Sequence, residues 1–293
     1  MSPADSALGA PSHLHLNIGA GTDRGLRREL NEDSFSAADP LFVVADGMGG
    51  HVAGEVASYE CIQTLTHEPT LQSGLRSAKA LDLHNALTRA DARIREQTNA
   101  RAGTTVTGAV LVEEHGLPHW LIFNVGDSRT YRLNRGSLEQ ITVDHSAVQE
   151  MLDGGYLTPA EALIHPRRHV VTRAIGLGPD AEADFWLIPV DDGDRILVCS
   201  DGLTGELSDD HILETLTSVA DPQEAVDSLI QASLRSGGRD NITIVLVDAH
   251  LSETSGEESS TKDPATAQLS DTTALPTAEQ APAVTHLHEE NHG

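Results

Sequence analysis

Short runs in which polar and apolar residues alternate recur along the chain, and this period of two is typical of β-strands. The first run is HLHLNIGA at 13–20, and the runs DSFSAA and LFVVAD at 33–46 follow it, joined at Asp39-Pro40 where proline suits a turn. The later runs are TTVTGAVLV, HWLIFNVG, SRTYRLN, SLEQIT, FWLIPV, DRILVCS and NITIVLVD. Because short connections join many successive strands, we expect antiparallel pairing.

Helical spacing of apolar residues replaces this alternation in four segments, which we predict to be helices. These segments are 53–65, 82–97, 208–218 and 222–235. Between about 145 and 175, helical pieces are interrupted by Gly154-Gly155 and by Pro166. We interpret this stretch as a flap over a functional site.

The two ends of the chain lack any such periodicity. Residues 1–12 are predicted to be a loose arm. Residues 251–293 are rich in Ser, Thr, Ala, Glu and Pro and cannot bury enough apolar surface to offset the entropy of ordering. We therefore predict one folded domain at 13–250, followed by a disordered acidic tail. The hydrophobic fraction of 39% over 293 residues is ample for the core of such a domain.

The formal net charge of −26 excludes some classes of partner. A strongly acidic surface repels nucleic acids and anionic membranes, so neither is expected to bind. Cys61 and Cys199 lie in apolar segments, which favours buried thiols over a disulfide. No basic-then-apolar N-terminal segment and no apolar run of about 18–20 residues is present. We predict a cytoplasmic, monomeric protein.

Acidic residues placed at strand ends beside glycine are the candidate chemistry. They occur in the segments NED at 31–33, ADGMGG at 45–50, VGDSR at 125–129, SDGL at 200–203 and GRDN at 238–241. The carboxylates of Asp33, Asp46, Asp127, Asp201 and Asp240 are hard oxygen donors, which favour Mg²⁺ or Mn²⁺ over zinc. So many carboxylates leave excess charge around one ion, which argues for two ions roughly 3.5–4 Å apart with a hydroxide-like water between them.

The ordered set of motifs resembles a known family. RELNED at 28–33, DGMGG at 46–50, GTT at 103–105, GDSR at 126–129, SDGL at 200–203 and GRDN at 238–241 are similar to motifs of the bacterial metal-dependent protein serine/threonine phosphatases of type 2C. The resemblance extends over about residues 14–249. It implies an α+β fold, a four-layer α-β-β-α sandwich with two central antiparallel sheets flanked by helices.

The resemblance also implies a role for each matched residue. Asp46 bridges two metal ions, the carbonyl of Gly47 completes one coordination shell, and Asp201 and Asp240 hold a metal in the same cluster. Asp33 acts partly through bound waters. Asp127 is implied to bind a third ion, sharing Asp201, although the occupancy of that third site is left open.

Arg28 matches the arginine that grips the substrate phosphate, a task that suits a planar guanidinium. A surface salt bridge is the alternative reading of this residue. In the implied mechanism a bridging hydroxide attacks phosphorus in line with the leaving seryl or threonyl oxygen, with no phosphoenzyme. Eukaryotic members carry a histidine, proposed as the acid, where this chain has Met48, which cannot donate a proton. His51 is a candidate acid. The alternatives are that His51 packs or hydrogen-bonds a loop, or that a metal-bound water serves.

Three functions stay open at this stage. The first is a phosphoserine/phosphothreonine protein phosphatase acting on phosphorylated proteins, among them a bacterial serine/threonine kinase and its substrates. The others are a catalytically silent relative that binds a phosphoprotein and a hydrolase of small phosphoesters. Retention of every matched ligand and of Arg28 favours an active phosphatase. His145 and the Arg167-Arg168 pair either help to select substrates or belong to an exposed hinge with solvated arginines. Asn241 either orients Asp240 or caps a turn.

Overall fold

Eleven strands are present in the computed structural model, which describes residues 12–49, 53–177 and 182–253. They are β1 (Ser12–Asp23), β2 (Asp33–Ala38), β3 (Leu41–Gly49), β4 (Ala102–Thr104), β5 (Val106–Glu114), β6 (Leu117–Val125), β7 (Arg129–Asn134), β8 (Ser137–Gln140), β9 (Asp184–Pro189), β10 (Asp194–Cys199) and β11 (Ile242–Glu253). Every run of alternating residues predicted as a strand corresponds to a strand in this structure, except that TTVTGAVLV is divided between β4 and β5.

The strands form two antiparallel sheets. One has the order β1-β11-β10-β7-β8, and the other has the order β2-β3-β5-β6-β9, with β4 paired to β3. Antiparallel pairing holds for every pair of strands in the described residues, as the short connections predicted. β1 and β11 come from opposite ends of the folded chain and are paired over their full twelve residues.

The described helices are α1 (Ala53–Thr66), α2 (Ala80–Thr98), α3 (Ala147–Asp153), α4 (Pro159–Ile164), α5 (Asp201–Thr204), α6 (Asp209–Ser218) and α7 (Pro222–Ser236). Side-chain oxygens cap several of them: Ser208 accepts from the third residue of α6, and Asp221 does the same for α7. The four predicted long helices are all present, each within two residues of its predicted bounds.

Three apolar clusters show how these layers pack. The first lies between the β2-containing sheet and α1 with α2, and includes Leu65, Leu87 and Phe123. The second lies between the β1-containing sheet and α5 to α7, and includes Leu229. The third fills the space between the two sheets around Trp120. This arrangement confirms the predicted α-β-β-α sandwich.

A few local features differ from the predictions or extend them. The run TTVTGAVLV is broken at Thr105, so that β4 and β5 are separate strands in different pairings. The four-residue α5 was not predicted. Cys61 and Cys199 are buried free thiols, as expected. The predicted arm and tail lie outside the described residues except at Ser12, which begins β1, and at residues 251–253, which pair with β1 as the end of β11, so these two strands extend slightly beyond the predicted domain bounds. None of the described helices has both the length and the apolar character needed to cross a membrane.

Candidate metal centre

Asp33 and Asp46 face each other across a hairpin. They are directly paired in the register of β2 and β3, at the end of the hairpin away from its turn. Oδ2 of Asp33 accepts a hydrogen bond of 2.7 Å from the hydroxyl of Thr243 on the other sheet. Its second oxygen, Oδ1, is buried and has no hydrogen-bond partner among the described residues. One oxygen of Asp33 is thus oriented, and the other is left available to a ligand.

The backbone of Asp46 is fixed by two threonines of the neighbouring segment. Its carbonyl accepts from the backbone N–H of Thr105 and from the hydroxyl of Thr104, both at 2.9 Å. Its own N–H donates to Oγ1 of Thr105 at 3.2 Å. Because the backbone is held on both sides, the direction of the Asp46 carboxylate is set by the sheet.

Gly47 lies where two backbones come close together. Its N–H donates to the carbonyl of Glu32 at 3.1 Å. A Cβ at this position would lie 2.1 Å from the carbonyl oxygen of Gly54 and 2.5 Å from that of Glu32. No side chain fits there, so glycine is required for α1 to pack against this end of β3.

Asp201 enters the same region from the other sheet, at the first residue of α5 and directly after β10. Its Oδ1 atom is buried and, in the part of the chain that the structure describes, without a hydrogen-bond partner. A Cβ on the next residue, Gly202, would lie 1.9 Å from the carbonyl oxygen of Asn241. Close packing of α5 on the segment before β11 therefore depends on Gly202.

Asp240 and Arg28 are in direct contact. The guanidinium Nη2 of Arg28 donates to Oδ2 of Asp240 at 2.6 Å, and the Arg28 side chain is 49% exposed. Both predicted alternatives for Arg28, phosphate binding and a salt bridge, place it at the candidate site, because its salt-bridge partner is a candidate metal ligand. The other oxygen of Asp240 accepts from the backbone N–H of Asn241 at 2.8 Å.

Asn241 ties the Arg28 loop to this segment. Its amide nitrogen donates to the carbonyls of Arg24 and Leu30, both at 2.9 Å, and its Oδ1 accepts from the N–H of Glu32 at 2.8 Å. The residue is buried. The Asn241 side chain thus bonds to the backbone of the Arg24–Glu32 loop, a contact that neither predicted role, orienting Asp240 or capping a turn, anticipated.

Asp127 lies in the turn between β6 and β7 and is buried. Its neighbour Gly126 has a φ of +109° and donates its N–H to Nδ1 of His145 at 3.1 Å. The other ring nitrogen of His145 lies 3.1 Å from a carboxylate oxygen of Asp184. Burial lowers the pKa of His145. A neutral ring that accepts from Gly126 and donates to Asp184 fits both contacts.

The carboxylates destabilise one another's charged forms. Burial, followed by neighbouring carboxylates, raises the pKa of Asp33 and of Asp127 to about 7 each and that of Asp201 to about 6. The pKa of Asp46 is raised well above its usual range for the same reasons, with Asp33 and Asp201 as the leading neighbours. An excess of negative charge is therefore concentrated in a region largely shielded from water.

The donor chemistry fits a hard divalent cation. The candidate ligands are oxygen atoms, and some of them are buried without a partner among the described residues. A bound Mg²⁺ or Mn²⁺ would pair with these oxygens and would offset the charge repulsion that helps to raise the pKa values of the carboxylates. Among the described residues, however, no three acidic, histidine or cysteine side chains are grouped closely enough to hold one ion as they stand. The carboxylates share one region, and an ion there would be held by one or two of them together with backbone carbonyl or water oxygens.

Seven of the eight predicted site residues can be placed. Arg28, Asp33, Asp46, Gly47, Asp127, Asp201 and Asp240 are joined by the contacts and charge interactions given above. The eighth, His51, lies outside the described residues. Met48 follows Gly47 on β3.

Sequence reasoning missed several residues that orient this group. Thr104 and Thr105, which belong to the GTT motif but were assigned no role, hold Asp46, and Thr243 holds Asp33. Thr243 had a detectable signal, because a polar residue within the apolar run of β11 must find a partner when buried. No comparable signal in the sequence indicates Glu206, which contacts Arg239.

The segment interpreted as a flap is attached to the sandwich at both ends. At the N-terminal end the N–H of His145 donates to the carbonyl of Gly126 at 2.8 Å, and at the C-terminal end Ile175 pairs with Thr104 beside Asp46. Between these two ends, burial lowers the pKa of His169. His169 is also close enough to Arg239 and Asp240 for their charges to affect this pKa. This part of the segment therefore lies beside the candidate site.

Comparison with known proteins gives one consistent family. A family model described as Protein phosphatase 2C matches residues 20–241. The serine/threonine protein phosphatase PstP of Mycobacterium tuberculosis is 40% identical over 248 residues, which cover 80% of this chain and 45% of that protein. The chain thus matches less than half the length of this relative. The serine/threonine phosphatase stp of Listeria monocytogenes is 35% identical over 244 residues, covering 79% of this chain and 95% of that protein.

Solved structures agree with this assignment. A crystal structure of the M. tuberculosis phosphatase PstP/Ppp matches with a TM-score of 0.74 and 38% identity, covering 80% of this chain and 99% of that one. The catalytic domain of PstP in complex with two manganese ions matches with a TM-score of 0.73 and 37% identity, covering 81% and 100%.

Proposed function

Since the chain belongs to the protein phosphatase 2C family, we propose that it hydrolyses phosphoserine and phosphothreonine in proteins with the help of divalent metal ions. One observation carries this proposal: carboxylates from both sheets lie in one region, and a half-exposed arginine, Arg28, contacts one of them. Buried carboxylates that repel one another destabilise a fold, so a purely structural role does not account for them.

Two Mn²⁺ or Mg²⁺ ions are proposed as the cofactor, because a neighbour of 37% identity is described in complex with two manganese ions. Asp46 and the Gly47 carbonyl, with Asp201 and Asp240, would hold them. Asp33 would contribute through bound water, and Asp127 with Asp201 would hold a third ion. When bound, such ions supply a hydroxide-like water and neutralise phosphate charge.

Arg28 has the phosphate-binding role in this proposal. Its side chain is half exposed, and Nη2 is anchored on Asp240, close enough to Asp46 and Asp201 for their charges to raise the pKa of Arg28. A planar fork of donors suits two oxygens of a phosphoryl group. Anchoring also reduces the entropy lost when the phosphate binds.

Protonation of the leaving seryl or threonyl oxygen needs a donor that Met48 cannot provide. We keep His51 as the candidate, with water in the site as the alternative. A His51→Ala variant that retains wild-type kcat across pH 6–9 would remove His51 from this role.

Phosphorylated proteins, among them a serine/threonine kinase and its substrates, are the proposed partners. The named relatives are serine/threonine phosphatases, and the site is built from surface loops and strand ends beside a flap. The two buried free thiols suit a reducing compartment, so we take a cytoplasmic monomer as the setting.

Phosphate release from a phosphothreonine peptide, measured with and without Mn²⁺, tests the proposal. Wild type is compared with Asp46→Asn, Asp201→Asn and the control Glu96→Gln, which changes an exposed carboxylate on α2. We expect Mn²⁺-dependent turnover in wild type and control and its loss in both aspartate variants.

No turnover by a folded wild-type protein in any metal would overturn the proposal in favour of a silent phosphoprotein-binding relative. Turnover of p-nitrophenyl phosphate without turnover of the peptide would point instead to a hydrolase of small phosphoesters.

A further inference from the structure

Arg239, the residue before Asp240, connects two segments that carry candidate metal ligands. Its Nε donates to Oε1 of Glu206 at 2.8 Å, and its Nη2 donates to Oε2 of the same carboxylate at 3.1 Å. The same Nη2 also donates to the carbonyl of Gly205 at 2.8 Å, and the backbone N–H of Arg239 donates to Oε1 of Glu206 at 2.9 Å. Four hydrogen bonds thus join residue 239 to residues 205–206.

The far end of this connection is the end of α5. Glu206 follows α5 by two residues, and the N–H of Gly205 donates to the carbonyl of Asp201 at 2.7 Å. A helix of four residues is too short to be stable by itself and depends on contacts for its position. The Arg239–Glu206 pair therefore fixes the short helix that begins with Asp201.

The near end of the connection is the segment that leads into β11. Gly237 and Gly238 have φ values of +156° and +51°, so the chain turns sharply just before Arg239. A Cβ on Gly237 would lie 3.0 Å from Oε2 of Glu206. The segment 237–239 thus packs closely against the Glu206 carboxylate, and Asp240 is the next residue in the chain.

The two side chains of this pair differ in how far they are exposed to solvent. The Glu206 side chain is 3% exposed, whereas that of Arg239 is 63% exposed. The bonds from Arg239 hold the pKa of Glu206 below its usual range. A charged carboxylate with so little access to water needs these donors, and among the described residues the hydrogen bonds to that carboxylate all come from Arg239.

We propose that Arg239 and Glu206 are positioning residues that hold Asp201 and Asp240 at the mutual spacing a divalent cation requires. This inference rests on the proposed function, since it concerns the metal ligands of that site. Residues that orient metal ligands typically change metal affinity by about 10- to 100-fold when they are replaced. We expect an effect at the lower end of that range, because the arginine is exposed.

Binding of Mn²⁺ to the whole protein, followed by the electron paramagnetic resonance signal of free Mn²⁺, gives a readout independent of activity. Three variants form a graded series. Glu206→Ala removes both carboxylate acceptors and leaves the carbonyl of Gly205, Glu206→Gln keeps a side-chain acceptor without its charge, and Arg239→Lys keeps a charge without the fork. The matched control is Glu68→Gln, which weakens the Arg89–Glu68 ion pair between α2 and the segment after α1.

The expected result is about a tenfold weaker Mn²⁺ affinity for Glu206→Ala, with smaller losses for the other two variants and none for the control. The Mn²⁺ concentration for half-maximal turnover should rise in parallel, while saturating Mn²⁺ restores most of kcat. Thermal unfolding in EDTA separates this from general destabilisation, because lower stability with unchanged Mn²⁺ affinity would overturn the inference.

The outcome also separates this inference from the proposed function. Weakened Mn²⁺ binding in the variants of a protein that hydrolyses no phosphopeptide would support the positioning role and refute the phosphatase. Hydrolysis by wild type, with equal Mn²⁺ affinity in all variants, would refute the positioning role alone. A wild type that binds no Mn²⁺ would refute both.

Discussion

Replacing Asp127 by asparagine should stabilise the metal-free protein at alkaline pH. The raised pKa of Asp127, about 7, results from burial first and from the charge of Asp201 second. Its ionised form is therefore less favourable in the folded chain than in the unfolded chain, where its pKa is about 4. A neutral amide of nearly the same shape avoids that cost.

The size of the effect follows from the shift. Raising the pKa by about three units costs about 4 kcal/mol of folding free energy when the group is fully ionised. This is an upper bound, because neighbouring carboxylates titrate together and share the relief. For a domain of this size 1 kcal/mol moves Tm by about 2–4 °C, so the upper bound on the gain in Tm is about 8–16 °C.

The pH dependence has a definite sign. Because the folded pKa lies above the unfolded one, the folded state binds more protons between about pH 4 and pH 7, and the cost falls as pH is lowered through this window. Above pH 7 the full cost is present, so the Asp127→Asn variant gains most there. Below about pH 4 both chains should be equally stable with respect to this group.

Urea unfolding in EDTA at pH 5, 6, 7 and 8 measures the difference. The control Glu96→Gln should shift little, because its carboxylate is exposed on α2. Adding Mn²⁺ at pH 8 should stabilise wild type more than Asp127→Asn. A variant that is no more stable than wild type at pH 8, or a difference that does not change with pH, would refute the account of mutual repulsion.

Three further substitutions test other parts of the argument. Arg28→Lys should raise KM for a phosphopeptide about tenfold with a smaller change in kcat, since a point charge replaces a fork; steady-state kinetics with kcat reduced alone would contradict this. Asn241→Leu leaves the N–H of Glu32 and the carbonyls of Arg24 and Leu30 unpaired and should cost about 3 kcal/mol in urea unfolding; a loss below about 1 kcal/mol would contradict the positioning role. Arg195→Met strands the buried carboxylate of Asp248 and should cost about 3–5 kcal/mol, much of which the double variant with Asp248→Leu should recover.

Local pattern was sufficient for much of the fold and for the first pair of ligands. Asp33 and Asp46 are equidistant in sequence from the turn at Asp39-Pro40, so a hairpin there must pair them, as it does. Alternation likewise predicted β10 and β11, which place Asp201 and Asp240 at their ends. That both sheets bring these ends together was implied by the family resemblance and not by the pattern.

Contacts between distant residues were not predictable in this way. Glu206 and Arg239 are separated by 33 residues, and nothing in the sequence near either indicates the other. Thr105 interrupts a run that the alternation predicts as one strand, and its hydroxyl accepts a hydrogen bond from the N–H of Asp46, 59 residues away in the sequence. α5 is too short for any periodicity to be detected.

Hydroxyl pairs between the two sheets explain how ligands from both can be aligned. Thr105 bonds to Ser128 at 2.7 Å and Thr107 bonds to Thr130 at 2.9 Å, and both pairs are buried between the sheets. An apolar interface tolerates small sliding movements, whereas a buried hydroxyl loses its partner when the sheets shift. Thr105 also holds the N–H of Asp46, and Ser128 follows Asp127. A continuous path of hydrogen bonds and backbone thus connects Asp46 on one sheet to Asp127 in the turn that leads to the other, and this path resists the repulsion between the two carboxylates.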